Sequence, residues 1–77
     1  MEDKTLSSKN GDYDLLVRVY PDAKDENKLG FIMIAVSANL RSGEYANMEH
    51  QSFWSYSADC LEKATAFFGK CKARYID

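Results

Sequence analysis

The most chemically reactive side chains in this 77-residue chain are its one histidine, His50, and its two cysteines, Cys60 and Cys71. A thiol becomes a useful nucleophile when a base lies within hydrogen-bonding reach, so His50 and Cys60 are the one conceivable catalytic pair. Cys60, however, falls on the apolar side of a helix that the sequence predicts, and a buried thiol is inert. We therefore expect no catalytic pair, and we interpret His50 as an ordinary strand residue.

The spacing of the residues predicts no metal site, no disulfide and no phosphate-binding loop. A structural zinc site needs four ligands at close spacing, which the histidine and the cysteines do not provide. On one helix, Cys60 and Cys71 would lie roughly 16 Å apart along the axis, whereas a disulfide spans at most about 7 Å between Cα atoms. The four glycines are scattered and form no phosphate-binding loop. We expect no enzymatic activity and no cofactor.

The composition indicates a single folded domain. Hydrophobic residues make up 45% of the chain and aromatic residues 13%, which is enough for a core. The net charge of -2, from ten basic and twelve acidic residues, lacks the basic excess of nonspecific nucleic-acid binders. No apolar run approaches the roughly 18 residues of a membrane span, and the polar N-terminal stretch is unlike a secretory signal. We expect a cytoplasmic protein with reduced thiols.

The most apolar stretch, residues 29–38 (LGFIMIAVSA), contains no proline and no charge, which favours a strand. Side chains alternate along a strand, so Phe31 and Met33 face one way while Ile32 and Ile34 face the other. Both faces are therefore apolar and need cover, and we expect a chain this short to cover only one of them.

The remaining elements follow from periodicity and turn signals. Residues 1–12 are polar and predict a flexible arm, and residues 13–77 form one small domain. Residues 13–20 read as a strand joined by a charged hairpin loop to the central strand, and a third strand lies between residues 45 and 56. Residues 57–75 predict an amphipathic helix, with Leu61 and Cys71 on its apolar stripe. The sequence thus predicts an α+β fold: a three-stranded antiparallel β-meander with one C-terminal helix packed on one face (β-β-β-α).

The sheet face opposite the helix is the predicted partner-binding surface, because an uncovered apolar patch with aromatic and arginine residues is typical of interfaces. Its predicted members are Leu16, Arg18, Tyr20, Met33 and Trp54. Alternatively, the N-terminal arm or the loop after residue 38 folds over this face. The acids of the loop at residues 21–28, Asp22, Asp25 and Glu26, could engage a basic surface on a partner or serve only solubility.

The leading functional hypothesis is a non-enzymatic protein-binding module. Its small size, acidic charge and lack of a catalytic set are typical of phage and mobile-element inhibitors that act on larger nucleic-acid-handling machines, although fold does not determine function. One alternative is a single-stranded nucleic-acid-binding domain that uses sheet aromatics such as Tyr20, Phe31 and Trp54. The other is a structural homodimer subunit. We expect a protein partner, no membrane contact and no direct contact with nucleic acid.

Overall fold

The computed structural model describes residues 3–77 and has an α+β fold, an antiparallel sheet with one C-terminal helix. The strands are β1 (Asp3–Ser7), β2 (Tyr13–Pro21), β3 (Leu29–Asn39) and β4 (Tyr45–Trp54). The helix α1 (Cys60–Cys71) follows, and a π-helical turn (Lys72–Ile76) extends it. The strands pair in the order β1-β2-β3-β4, and each pair is antiparallel.

The prediction of three strands is wrong, because the sheet has a fourth strand, β1, within the segment expected to be an arm. Residues 1 and 2 of that predicted arm lie outside the described residues. Leu6 pairs with Leu15 of β2 and packs against the core, whereas the other four residues of β1 are exposed. A strand with one inward apolar side chain shows almost no alternation in its sequence, and its backbone hydrogen bonds to β2 hold it in the sheet.

The prediction that residues 29–38 form a strand with two apolar faces is confirmed. On the side covered by the helix, Ile32, Ile34 and Val36 are buried and pack with Leu15 and Phe53. Since β3 lies between β2 and β4, both of its edges are also hydrogen-bonded. The strand is therefore the centre of the fold.

The helix packs its apolar stripe on β3 and β4, while its π-helical turn reaches β2. Cys60, Ala64 and Cys71 are buried against the sheet. Leu61 was expected on the same stripe but is 65% exposed, so that assignment is wrong. The side chain lies at the margin of the stripe, beside an open groove between α1 and β2 that Val17 and Phe68 also line.

Gly30 occupies a position where the backbone of another strand comes too close for any side chain. A Cβ atom on Gly30 would lie 2.5 Å from the carbonyl oxygen of Pro21, next to the register shift at Tyr20/Pro21. We expect Gly30→Ala to lower the free energy of unfolding by about 1–3 kcal/mol, since the backbone must shift to accept the methyl group. Urea denaturation followed by circular dichroism measures this change.

Gly69 on α1 is the matched control for that substitution. A Cβ atom there would meet nothing within 4 Å, and the residue is exposed on the helix. Gly69→Ala should therefore raise the free energy of unfolding by about 0.5–1 kcal/mol through helix propensity. Equal effects of the two substitutions would contradict the close approach at Gly30.

Candidate functional site

The sheet face opposite α1, called the open face below, is formed by residues that the strand register aligns in rows. Arg18 of β2 pairs with Met33 of β3, and Leu16 pairs with Ala35. Within the part of the chain that the structure describes, no helix or strand lies over this face, because β1 is an edge strand of the sheet and residues 40–44 form the β3–β4 hairpin turn. The register brings five predicted residues onto one face: Leu16, Arg18, Tyr20, Met33 and Trp54.

Four aromatic rings form a continuous row across the open face, called the aromatic row below. The rings of Tyr20 and Phe31 stack with centroids 4.4 Å apart and an interplanar angle of 13°. Trp54 lies 4.5 Å from Phe31 on its other side, and Tyr56 lies 6.2 Å beyond Trp54. The distances from Phe31 to Tyr20 and to Trp54 are close to the spacing of about 4.8 Å between adjacent strands, so these three rings stand side by side on the sheet. Tyr20 and Phe31 are partly buried within this row, whereas Trp54 and Tyr56 are exposed.

Arg18 lies beside this row and is held by two neighbours. The Nε atom of Arg18 is 3.4 Å from a carboxylate oxygen of Asp3 on β1. A hydrogen bond with the Tyr20 hydroxyl, and then the charge of Asp3, raise the pKa of Arg18 above its ordinary value. The guanidinium is therefore positioned over the open face, and part of its charge is balanced by Asp3.

The acidic loop between β2 and β3 adjoins one end of the aromatic row, since a shallow depression is lined by Asp22, Phe31 and Trp54 together. A carboxylate oxygen of Asp22 accepts hydrogen bonds from the backbone N–H groups of Lys24 (2.8 Å) and Asp25 (3.2 Å). The Asp25 carboxylate accepts one from the N–H of Asn27 at 3.0 Å. Two of the three predicted acids thus shape the loop as turn residues, and Glu26 is exposed. Their binding role stays a prediction.

His50 and Cys60 are not brought together. His50 pairs with Ala35 and lies on the open face, whereas the Cys60 thiol donates to the Phe53 carbonyl at 3.4 Å beneath α1. Cys60 and Cys71 are both buried and free, and burial raises the pKa of the Cys71 thiol. Within residues 3–77, no group of three or more histidine, cysteine, aspartate or glutamate side chains could hold a metal ion.

A charged cluster around Glu49 was not predicted from the sequence. The Glu49 side chain is only 19% exposed on the helix side of β4, where its oxygens lie 3.9 Å from Lys70 Nζ and 3.7 Å from Arg74 Nη1. Burial, and then a hydrogen bond with Glu49, raise the pKa of Tyr75. The four-residue spacing of Lys70 and Arg74, which places them on one helix flank, was the available signal. These ion pairs link the C-terminal end of the helical segment to β4.

Comparison with known proteins gives no match: no family model, no curated protein and no solved structure matches the chain. By its fold the protein is a small α+β domain with a four-stranded antiparallel sheet and a helix on one side. None of the helices in residues 3–77 has both the length and the apolar character needed to cross a bilayer. Its function is therefore inferred from the chemistry of its surfaces.

Proposed function

We propose that this chain is a non-enzymatic protein-binding module whose interface is the open face. The observation that carries this proposal is the aromatic row, which stands uncovered beside Leu16 and Met33 on the open face. Contiguous exposed apolar surface of this kind commonly marks an interface. Tyrosine, tryptophan and arginine are also the residue types that contribute most to binding energy, and Tyr20, Trp54 and Arg18 are neighbours here.

The charge around the open face indicates the chemistry of the partner. Asp22 flanks one end of the aromatic row, with Asp25 and Glu26 further along the same loop, and Asp14 and Asp3 lie on the β1–β2 side of the same face. A partner with a basic rim around an apolar centre would complement this surface, and the opposite charges would speed association. Basic surfaces are common on nucleic-acid-handling machines. We therefore propose a cytoplasmic inhibitor of such a machine, of the kind that phages and mobile elements encode.

The geometry of the aromatic row disfavours single-stranded nucleic acid as the occupant. Bases stack on the exposed faces of aromatic rings, and a basic groove normally follows the phosphate backbone. Here Phe31 lies between Tyr20 and Trp54, so its faces are already occupied. Within residues 3–77, two cations border the row and both are paired: Arg18 with Asp3, and Lys63, which lines a depression with Trp54, with Asp59. A row of rings packed against one another and flanked by carboxylates suits a protein surface better than a nucleic acid.

Fluorescence of Trp54, the only tryptophan, separates these two occupants. We expect no change in its emission when oligothymidylate is added at low salt, where electrostatic binding to nucleic acid is strongest. Free indole acetate measured in the same titration controls for absorption by the oligonucleotide. A saturable change in Trp54 emission that disappears in Arg18→Ala would contradict the proposal, because it would assign the open face to nucleic acid.

A further inference from the structure

The outer edge of β4 presents free backbone groups. The N–H of Ser55 donates a hydrogen bond to the carbonyl oxygen of Gly30 at 3.0 Å. The N–H of Leu40 donates one to the carbonyl oxygen of Glu44 at 2.9 Å. Backbone hydrogen bonds alternate along an antiparallel strand, so Gln51 and Phe53 bond inward to β3. The N–H and C=O groups of the intervening residues point away from the sheet, and no strand of residues 3–77 pairs with them. These outward residues are His50, Ser52 and Trp54.

The second half of this edge has little of the usual protection against strand pairing. The ten residues of β4 (YANMEHQSFW) contain no lysine, arginine or proline, which are the residues that commonly block an edge. A register shift opposite Val36/Ser37 distorts the first half of the strand. The second half, residues 49–54, pairs regularly with β3 and leaves a straight edge long enough for a short extended segment.

A basic flank of α1 runs beside the same edge. Lys63, Lys70 and Arg74 have side chains that are 63%, 55% and 57% exposed. Lys63 pairs with Asp59, whereas Lys70 and Arg74 share the single carboxylate of Glu49 at long distances of 3.9 and 3.7 Å. Two cations facing one carboxylate leave surplus positive charge next to the free backbone groups of β4.

We propose that the outer edge of β4 binds an extended acidic segment of a partner protein as a fifth strand. The main chain of that segment hydrogen-bonds to His50, Ser52 and Trp54, which supplies affinity without dependence on sequence. Every second side chain of an added strand points to the helix side of the sheet. Carboxylates at those positions reach Lys70 and Arg74, which supplies selectivity for acidic segments. Of the residues whose side chains lie on the open face, this site uses only the backbone, and it does not depend on the proposed role of that face.

A second copy of the chain is a poorer occupant of this edge. Antiparallel pairing of two β4 strands about a twofold axis would place two α1 helices side by side on the same face of the joined sheet. Their facing flanks would both carry Lys63, Lys70 and Arg74, with too few carboxylates to balance them. The positive charges on the two facing flanks would oppose association of two copies, whereas an acidic segment would balance the positive charge of a single flank.

The test uses a capped octapeptide of alternating glutamate and valine, with alternating lysine and valine as the matched control peptide. Both are titrated into the isotopically labelled chain and followed by amide NMR. The glutamate peptide should protect the amide protons of His50, Ser52 and Trp54 from solvent exchange and shift their resonances. The lysine peptide should leave them unchanged.

Two variants locate the binding determinants. The double variant Lys70→Gln/Arg74→Gln removes both charges without adding carboxylates beside Glu49, and it should weaken binding of the glutamate peptide by about tenfold, as expected for two exposed ion pairs. The charge-matched control Lys4→Gln/Lys9→Gln, in and after β1 at the opposite edge of the sheet, should not weaken it. Ser52→Pro removes one outward N–H without touching the bonds to β3, and it should abolish the protection.

Three results would overturn the proposal. The first is the absence of amide protection at about 1 mM glutamate peptide, near the weakest affinity that such a titration can measure. The second is equal binding of the lysine peptide. The third is protection of the same amides without peptide that grows with protein concentration, because a second copy would then occupy the edge. The surface double variant keeps the test decisive even if Ser52→Pro fails to fold.

Discussion

Replacing Ile34 with aspartate is expected to unfold the protein. Ile34 is 1% exposed at the centre of β3, beneath α1. The substitution removes a large apolar side chain, worth about 2–5 kcal/mol when lost from a core, and places an unpaired charge there. Small domains have a free energy of unfolding near the low end of about 5–15 kcal/mol, so the loss exceeds what this chain can tolerate. Far-ultraviolet circular dichroism at 25 °C should show a disordered chain.

Replacing the neighbouring Met33 with aspartate is the matched control, because that side chain points to the open face. Met33 is partly exposed and pairs across the strands with Arg18, which can accept a carboxylate partner. Met33→Asp should remain folded and lower the free energy of unfolding by about 1 kcal/mol. If Met33→Asp also unfolded the chain, the open face would be a core surface and its proposed role in binding would be wrong.

Replacing Trp54 with alanine is expected to remove most of the affinity for the protein partner. Trp54 is 48% exposed and packs against both Phe31 and Tyr56, so its truncation also loosens the aromatic row. An aromatic anchor at the centre of an interface contributes about 2–4 kcal/mol, which corresponds to a loss of roughly 30- to 1,000-fold in affinity. The measurement is the amount of each cellular protein retained on immobilised wild-type chain and on Trp54→Ala.

Leu61→Ala is the control for that comparison, because Leu61 is an exposed apolar residue on the helix side, 65% exposed against 48% for Trp54. A genuine partner of the open face should be lost with Trp54→Ala and retained with Leu61→Ala. Circular dichroism should show that both variants stay folded, since neither side chain belongs to the buried core. A partner lost equally with both substitutions would indicate nonspecific adhesion to apolar surface.

The elements with strong apolar patterns could be predicted from the sequence, and β1 could not. Strand β3 and helix α1 can be predicted because their buried residues repeat with the period of each element. The hairpin loops follow from their turn residues, such as Gly43, which adopts a positive φ of 87°. Strand β1 carries only Leu6 toward the core, so what holds it is backbone pairing, which leaves no mark on side-chain type.

The membership of the open face could be predicted, but its internal arrangement could not. Alternation alone assigns Leu16, Arg18 and Tyr20 to one side of β2. The stacking of Tyr20, Phe31 and Trp54 depends on the register between three strands, which is determined by loop lengths and by the shift at Tyr20/Pro21. The spacing of Lys70 and Arg74 places them on one helix flank, but their position beside β4 could not be predicted, because the distance between Glu49 and Arg74 is a property of the tertiary fold.

The central claim, that the open face binds a protein, is tested most directly by photo-cross-linking in cells that express the chain. A benzophenone amino acid is placed at Leu16, on the open face, and in a separate variant at Leu61, on the opposite side. We predict a discrete cross-linked product from position 16 that is absent from position 61 and has the mass of the chain plus a larger protein. No product from position 16, or a product with twice the mass of the chain, would contradict the claim.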